Sequence, residues 1–110
     1  MEFTIDGKTI QTDSEGYLSN LGDWSEELAD AIAATEDLEL TEAHWEVINF
    51  LRDGYQSTGT VPNIRALQKS FKKEFGAEKG NSKYLYSLFP YGPAKQAARI
   101  GGLPKPTGCV

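Results

Sequence analysis

A chain of 110 residues, 39% apolar and 11% aromatic, makes one small folded domain and is too apolar for a disordered segment. Its one cysteine, Cys109, excludes an internal disulfide, and with one histidine, His44, it excludes a Cys/His zinc site. The net charge of −5 is split: residues 1–55 hold fourteen acids against Lys8 and Arg52, while residues 56–110 hold nine bases against Glu74 and Glu78. Such a split either joins the two halves or offers a basic face to an anionic partner, and both readings stay open at this level. No apolar run approaches the ~20 residues of a membrane helix. The start, MEFTIDGK, lacks the basic and apolar regions of a secretory signal. A reduced, cytoplasmic domain with no membrane partner is expected.

In chain order, Asp6-Gly7 between alternating apolar residues predicts a β-hairpin with a type I′ turn, setting Phe3 opposite Ile10 and Ile5 opposite Lys8. Residues 12–22 read as a polar loop pinned by Tyr17, Leu18 and Leu21. A first helix is predicted from Trp24 to Thr35, capped by Asp23 with Glu26 closing the box, and burying Leu28, Ala29, Ile32 and Ala33. A second opens at Thr41, with Leu40 and Trp45 as a hydrophobic staple and Trp45, Ile48, Leu51 and Tyr55 as its inner face. Pro62 is read as the start of a third, with Ile64, Leu67, Phe71 and Phe75 as its stripe and Gly76 ending it. A fourth is predicted from Ser82 to Phe89 and a fifth from Pro93 to Ile100. The segment after it, GGLPKPTGCV, has no periodicity and no aromatic anchor, so residues 1–100 read as the domain and 101–110 as a mobile arm. The fold class is mainly α (α+β): a small helical bundle with a helix-turn-helix-like pair, an N-terminal hairpin and a flexible C-terminal arm.

Cys109, penultimate on that arm, is the one strong nucleophile. At an ordinary thiol pKa of about 8.5 only a small share is thiolate near neutral pH, and Arg99 and Lys105 are candidate cations to raise it. A Cys109–His44 pair has no support in spacing, and His44 is expected to have no role. The Trp24/Trp45 pair and the run Tyr84, Tyr86, Phe89, Tyr91 read as core. Lys69, Lys72, Lys73, Lys79 and Lys83 give the third and fourth helices a helix-turn-helix flavour. The candidate reading helix offers Lys and Tyr rather than the Asn, Gln or Arg that read base edges, so direct nucleic-acid binding is not expected. No phosphate loop, dinucleotide fingerprint or pair of catalytic carboxylates is present, and neither cofactor nor metal is expected.

The block EKGNSKYLYSLFPYGPAKQAARIGGLPKPTGCV, residues 78–110, resembles the DsrC/TusE family, as do EGYL at 15–18 and LTEAHWEVINFLRD at 40–53. The resemblance implies a sulfur carrier whose penultimate cysteine, here Cys109, takes up sulfur as a persulfide. In the branch that partners sulfite reductase a second cysteine follows GPAKQA, and here that position is Ala98. The single-cysteine pattern resembles the relay branch. That branch implies a donor complex of the TusBCD type and a tRNA thiouridylase as acceptor, in 2-thiouridine formation. The family also leaves open a sulfite-reductase partner subunit, and the basic half leaves open a DNA-binding regulator. Neither general acid nor oxyanion hole is legible, so a carrier with one covalent step is expected rather than a self-sufficient catalyst.

Overall fold

The computed structural model describes residues 2–106. Asp6 and Gly7 take φ values of 50° and 78°, both in the left-handed region that a type I′ turn requires. The strands β1 (Glu2–Ile5) and β2 (Lys8–Gln11) therefore pair antiparallel with Phe3 opposite Ile10 and Ile5 opposite Lys8, as the alternation predicts. A two-stranded ribbon is marginal alone. This one lays Phe3 and Ile5 against the core and buries Ile10. The loop that follows is pinned as expected, with Tyr17 and Leu18 buried and Thr12 bridged to Leu18.

Helix α1 runs Glu26–Thr35, two residues later than predicted, and its cap is Ser25, whose hydroxyl accepts the Leu28 N–H at 3.1 Å. Asp23 instead closes a short 3-10 turn over Leu21–Asp23, and Trp24 is left extended between the two. The reason is tertiary: an extended Trp24 reaches a carbonyl far along the chain, described below. Helix α2 (Glu42–Thr58) starts at Thr41 as predicted. Its box is closed by His44, a residue expected to do nothing. The Thr41 N–H donates to His44 Nδ1 at 3.0 Å, and the other ring nitrogen meets the Leu88 carbonyl at 2.8 Å. Accepting at Nδ1 and donating from Nε2–H fixes the neutral tautomer. The inner face of α2 is His44, Val47, Ile48 and Leu51, with Trp45 and Tyr55 only half-buried at its edge.

Helix α3 (Ile64–Phe75) is capped by Asn63, whose side chain accepts the Ala66 N–H at 2.9 Å, so Pro62 stands before the helix rather than inside it. Asn81 caps α4 (Ser82–Leu88) in the same way through Tyr84 N–H at 2.8 Å. Helix α5 (Pro93–Ile100) has its predicted bounds. It is the centre of the bundle, touching α1, α2 and the helix-turn-helix-like pair α3 and α4. Pro93, Ala94, Gln96, Ala97, Ala98 and Ile100 are all buried, and the small alanines allow the other helices to close on it. Phe89, just past α4, and Phe71 of α3 fill the largest buried volumes beside it.

The charge split is used across the fold. Of the ion pairs between described residues, Lys79–Glu46, Arg99–Glu36 and Lys105–Glu15 each join a base of the second half to an acid of the first. Only Lys8–Asp23 stays within one half. No helix of the described residues is long and apolar enough to cross a membrane.

Burial pulls the His44 imidazole below its ordinary value of 6.5, and the bond to Leu88 only partly opposes this. The unfolded chain therefore binds the proton more readily than the native one. The stability His44 contributes is complete above about pH 6.5 and drains away as pH falls towards the lower folded value. His44→Gln should flatten that part of the acid dependence. It should also cost about 1–3 kcal/mol at neutral pH if the Leu88 carbonyl is left unbonded. Urea unfolding of both proteins at neutral and mildly acid pH measures the difference; parallel pH profiles would contradict the assignment.

Candidate functional site

The last turn of α5 controls where the C-terminal segment leaves the body. Gly102 takes φ 67° and its N–H bonds to the Arg99 carbonyl at 3.3 Å, while Leu103 N–H bonds to the Ala98 carbonyl at 2.9 Å. This pair of bonds is a Schellman motif with Gly102 in the left-handed position. Gly101 N–H takes the Ala97 carbonyl at 2.8 Å. Two carbonyls then remain, and side chains from distant parts of the chain take them. The indole Nε1–H of Trp24 donates to Ile100 O at 2.9 Å, and Arg52 Nη1 donates to Gly101 O at 2.6 Å. The Arg52 guanidinium lies 3.7 Å from the centre of the Trp24 ring, so the two donors also hold each other. Trp45 closes the back of the indole edge-on at 6.5 Å.

The chain does not become a tail at residue 101. Gly101, Gly102 and Pro106 are buried, and Leu103 is 3% exposed within the core. This corrects the expectation that everything past Ile100 has nothing to pack on. The aromatic anchor absent from the segment itself is supplied by Trp24, 78 positions before Gly102. Beyond it, Lys105 Nζ meets Glu15 at 3.2 Å, which lays the segment along the loop of residues 13–17. Cys109 lies outside the described residues, three positions past Pro106 in sequence.

The two candidate cations converge on that same loop. Arg99 and Glu15 both line an open cleft of about 390 Å³, together with Phe3, Gly16, Ile32 and Glu36. Neither cation is bare. Arg99 Nη2 is 2.8 Å from Glu36 Oε1, in a pair that is largely shielded from solvent, and Lys105 is matched with Glu15. Glu36 Oε1 also accepts from Gln96 Nε2 at 3.0 Å, and Gln96 Oε1 accepts the Tyr91 N–H at 3.1 Å. Gln96 is fully buried, so this chain of polar bonds rigidly joins the end of α1 to both ends of α5. Beside it lies the buried Tyr17 hydroxyl, whose polar neighbour among the described residues is Arg99. Burial raises its pKa, and the nearby Arg99 charge only partly counters that.

Ala98 is fully buried on α5. Both ring nitrogens of His44 are spent, Nδ1 on Thr41 and Nε2 on the Leu88 carbonyl, which leaves neither to pair with a thiol. The aromatic run divides. Phe89 is core and Tyr84 half-buried, but Tyr86 and Tyr91 are 45% and 65% exposed, against the expectation that they are core. Helix α4 has only seven residues, and Leu85 and the Phe89 after it take its inward positions. Trp24 and Arg52 were not legible as site residues. The one available signal was that Arg52 is one of just two bases among the first 55 residues.

The DsrC like protein family model matches residues 4–110. The Sulfurtransferase TusE of Salmonella typhimurium is 58% identical over 106 residues, covering 96% of this chain and 97% of that protein. Among solved structures, the NMR structure of Allochromatium vinosum DsrC superposes with a TM-score of 0.89 at 59% identity, with all of both chains covered. The oxidized gamma-subunit of the dissimilatory sulfite reductase (DsrC) from Archaeoglobus fulgidus gives 0.86 at 45% identity, also over the whole of both chains.

A Cβ added at Gly102 would lie 2.3 Å from the Trp24 ring, in a backbone conformation that L residues avoid. Gly102→Ala should therefore lower stability by about 1–3 kcal/mol, the cost of overpacking, even though the residue lies past the last helix. Leu103→Ala should cost about 2–5 kcal/mol as a core truncation. Chemical denaturation checks both; wild-type midpoints would mean the segment is not docked.

Proposed function

Because the chain belongs to the DsrC-like family over residues 4–110, we propose that it is a cytoplasmic sulfur-relay protein carrying sulfur as a persulfide on Cys109. The observation that supports this most is the full-length likeness to proteins named sulfurtransferase TusE, in a chain with one cysteine. The fold describes the stretch that leads towards it: Trp24 and Arg52 fix its start at Gly101, and Leu103 and Pro106 are buried.

The chemistry needs one nucleophile and no redox partner. The Cys109 thiolate attacks the outer sulfur of a donor persulfide, the S–S bond of the donor breaks, and the donor leaves as its thiolate. Cys109 now holds the outer sulfur. In the second transfer an acceptor thiolate attacks that sulfur and the Cys109 thiolate is released, so each step conserves charge and oxidation state. The donor is a complex of the TusBCD type and the acceptor a tRNA thiouridylase, with the sulfur bound for 2-thiouridine. Arg99 and Lys105 are the candidate cations for an anionic sulfur, and each would exchange its carboxylate, Glu36 or Glu15, for the thiolate.

A second reading, partner subunit of a dissimilatory sulfite reductase, is favoured by the likeness to the Archaeoglobus fulgidus gamma-subunit. It is weakened by Ala98, since a chain with one thiol cannot close a disulfide on itself. Co-purification with large haem-bearing chains would favour it over the relay reading.

Incubation with a persulfide-loaded donor should raise the intact mass by about 32 Da, one sulfur atom, and a thiol reductant should remove the gain. Cys109→Ser should show no gain. Equal loading of that variant would overturn the proposal.

A further inference from the structure

The outward side of α2 carries a feature that sulfur transfer from Cys109 does not use. Glu42, Trp45, Glu46, Phe50 and Asp53 share one stripe at helical spacing, so acids and half-buried aromatics alternate along it. Facing them from the end of α3 are Glu74 and Phe75. Two adjoining grooves of about 470 Å³ each lie between these helices, and they share Phe50, Asp53 and Glu74, which makes one continuous trough. It follows α2 from Glu42 to Thr58, about 24 Å at 1.5 Å per residue. Every ionisable residue lining it is an acid. Its floor is firm, because Phe50 packs edge-on against Phe71 at 5.2 Å and Phe75 against Phe71 at 4.4 Å.

One cation of the chain already shows how the trough recognises charge. Lys79 places its ammonium 2.9 Å from Glu46 Oε1 and 5.8 Å from the centre of the Phe75 ring, joining a carboxylate and an aromatic face at one rim. Along α2 the acids stand four and seven residues apart, whole turns of a helix. A partner helix with cations at the same period meets each of them, and its apolar side chains fall between them on Trp45 and Phe50. We propose that this trough is the docking site of a cationic amphipathic helix belonging to a partner protein. The inference goes beyond the sulfur-relay reading and does not depend on it.

The test uses the whole chain and a fluorescein-labelled Lys/Leu amphipathic helix of about 18 residues, long enough to span the trough. Anisotropy should report saturable binding that weakens as salt is raised, and a Glu/Leu helix of the same length should not bind. Asp53→Lys with Glu74→Lys should weaken binding at least about tenfold, as opposed charges become like charges. Asp30→Lys with Glu39→Lys reverses two exposed acids away from the trough and should leave binding unchanged. All four sites are exposed, and circular dichroism confirms that each double variant is folded. Equal losses in the two double variants, or no saturable binding, would overturn the proposal. So would a dimer of this chain that disappears in the Asp53→Lys, Glu74→Lys protein, since the occupant would then be a second copy. Sulfur loading of Cys109 from a small persulfide should be the same throughout, so failure of the relay reading is read separately.

Discussion

The end of α5 is the constraint on which the rest of the molecule depends. A helix C-terminus leaves carbonyls without partners, and one buried at the centre of a bundle cannot leave them to water. Here the backbone of Gly101, Gly102 and Leu103 takes three of them, and Trp24 and Arg52 take the next two. The two side chains come from opposite sides of the sequence's first half, one before α1 and one inside α2. Satisfying a single helix end thus fixes the relative placement of three helices.

The same economy appears in how α5 is buried. Its alanines let α1, α2, α3 and α4 approach closely, but an alanine-rich helix contributes little apolar volume of its own. Phe71, Phe89, Leu28, Ile48 and Leu51 supply that volume from outside. Gln96 is the exception, a fully buried amide whose two ends are tied to Tyr91 N–H and to Glu36. Replaced by an apolar residue, it would leave the Tyr91 N–H without this partner and Glu36 with Arg99 alone.

Much of the fold was legible because local rules and tertiary packing agree. The Asp6-Gly7 turn set the hairpin register, Pro93 set the start of α5, and the apolar stripe of α3 named Leu67 and Phe71 as core. Local rules failed where a distant group competed. Trp24 looked like the first residue of α1, yet its bond to Ile100 holds it extended and passes the capping role to Ser25. His44 offered no pattern, since the usual residue at its place in a capping box is Glu or Gln, and its second bond lies 44 residues away at Leu88. Of the candidate site, Arg99 and Lys105 were legible as cations near the end of the chain. Their carboxylate partners, Glu36 and Glu15, were not, because sequence spacing carries no information about which acids of the first half meet which bases of the second.

The bond from Trp24 to Ile100 closes a loop of 76 residues, and the one from Arg52 to Gly101 closes 49. Contacts between such remote positions form late, because the entropy of bringing the ends together must be met before they contribute anything. The segment that begins at Gly101 therefore gains its fixed base only after the hairpin, α1 and α2 have found their places. In a nascent or partly unfolded chain Leu103 and Pro106 have no surface to pack on, so the stretch from Gly101 to Pro106 takes up its path only after the body has closed around α5.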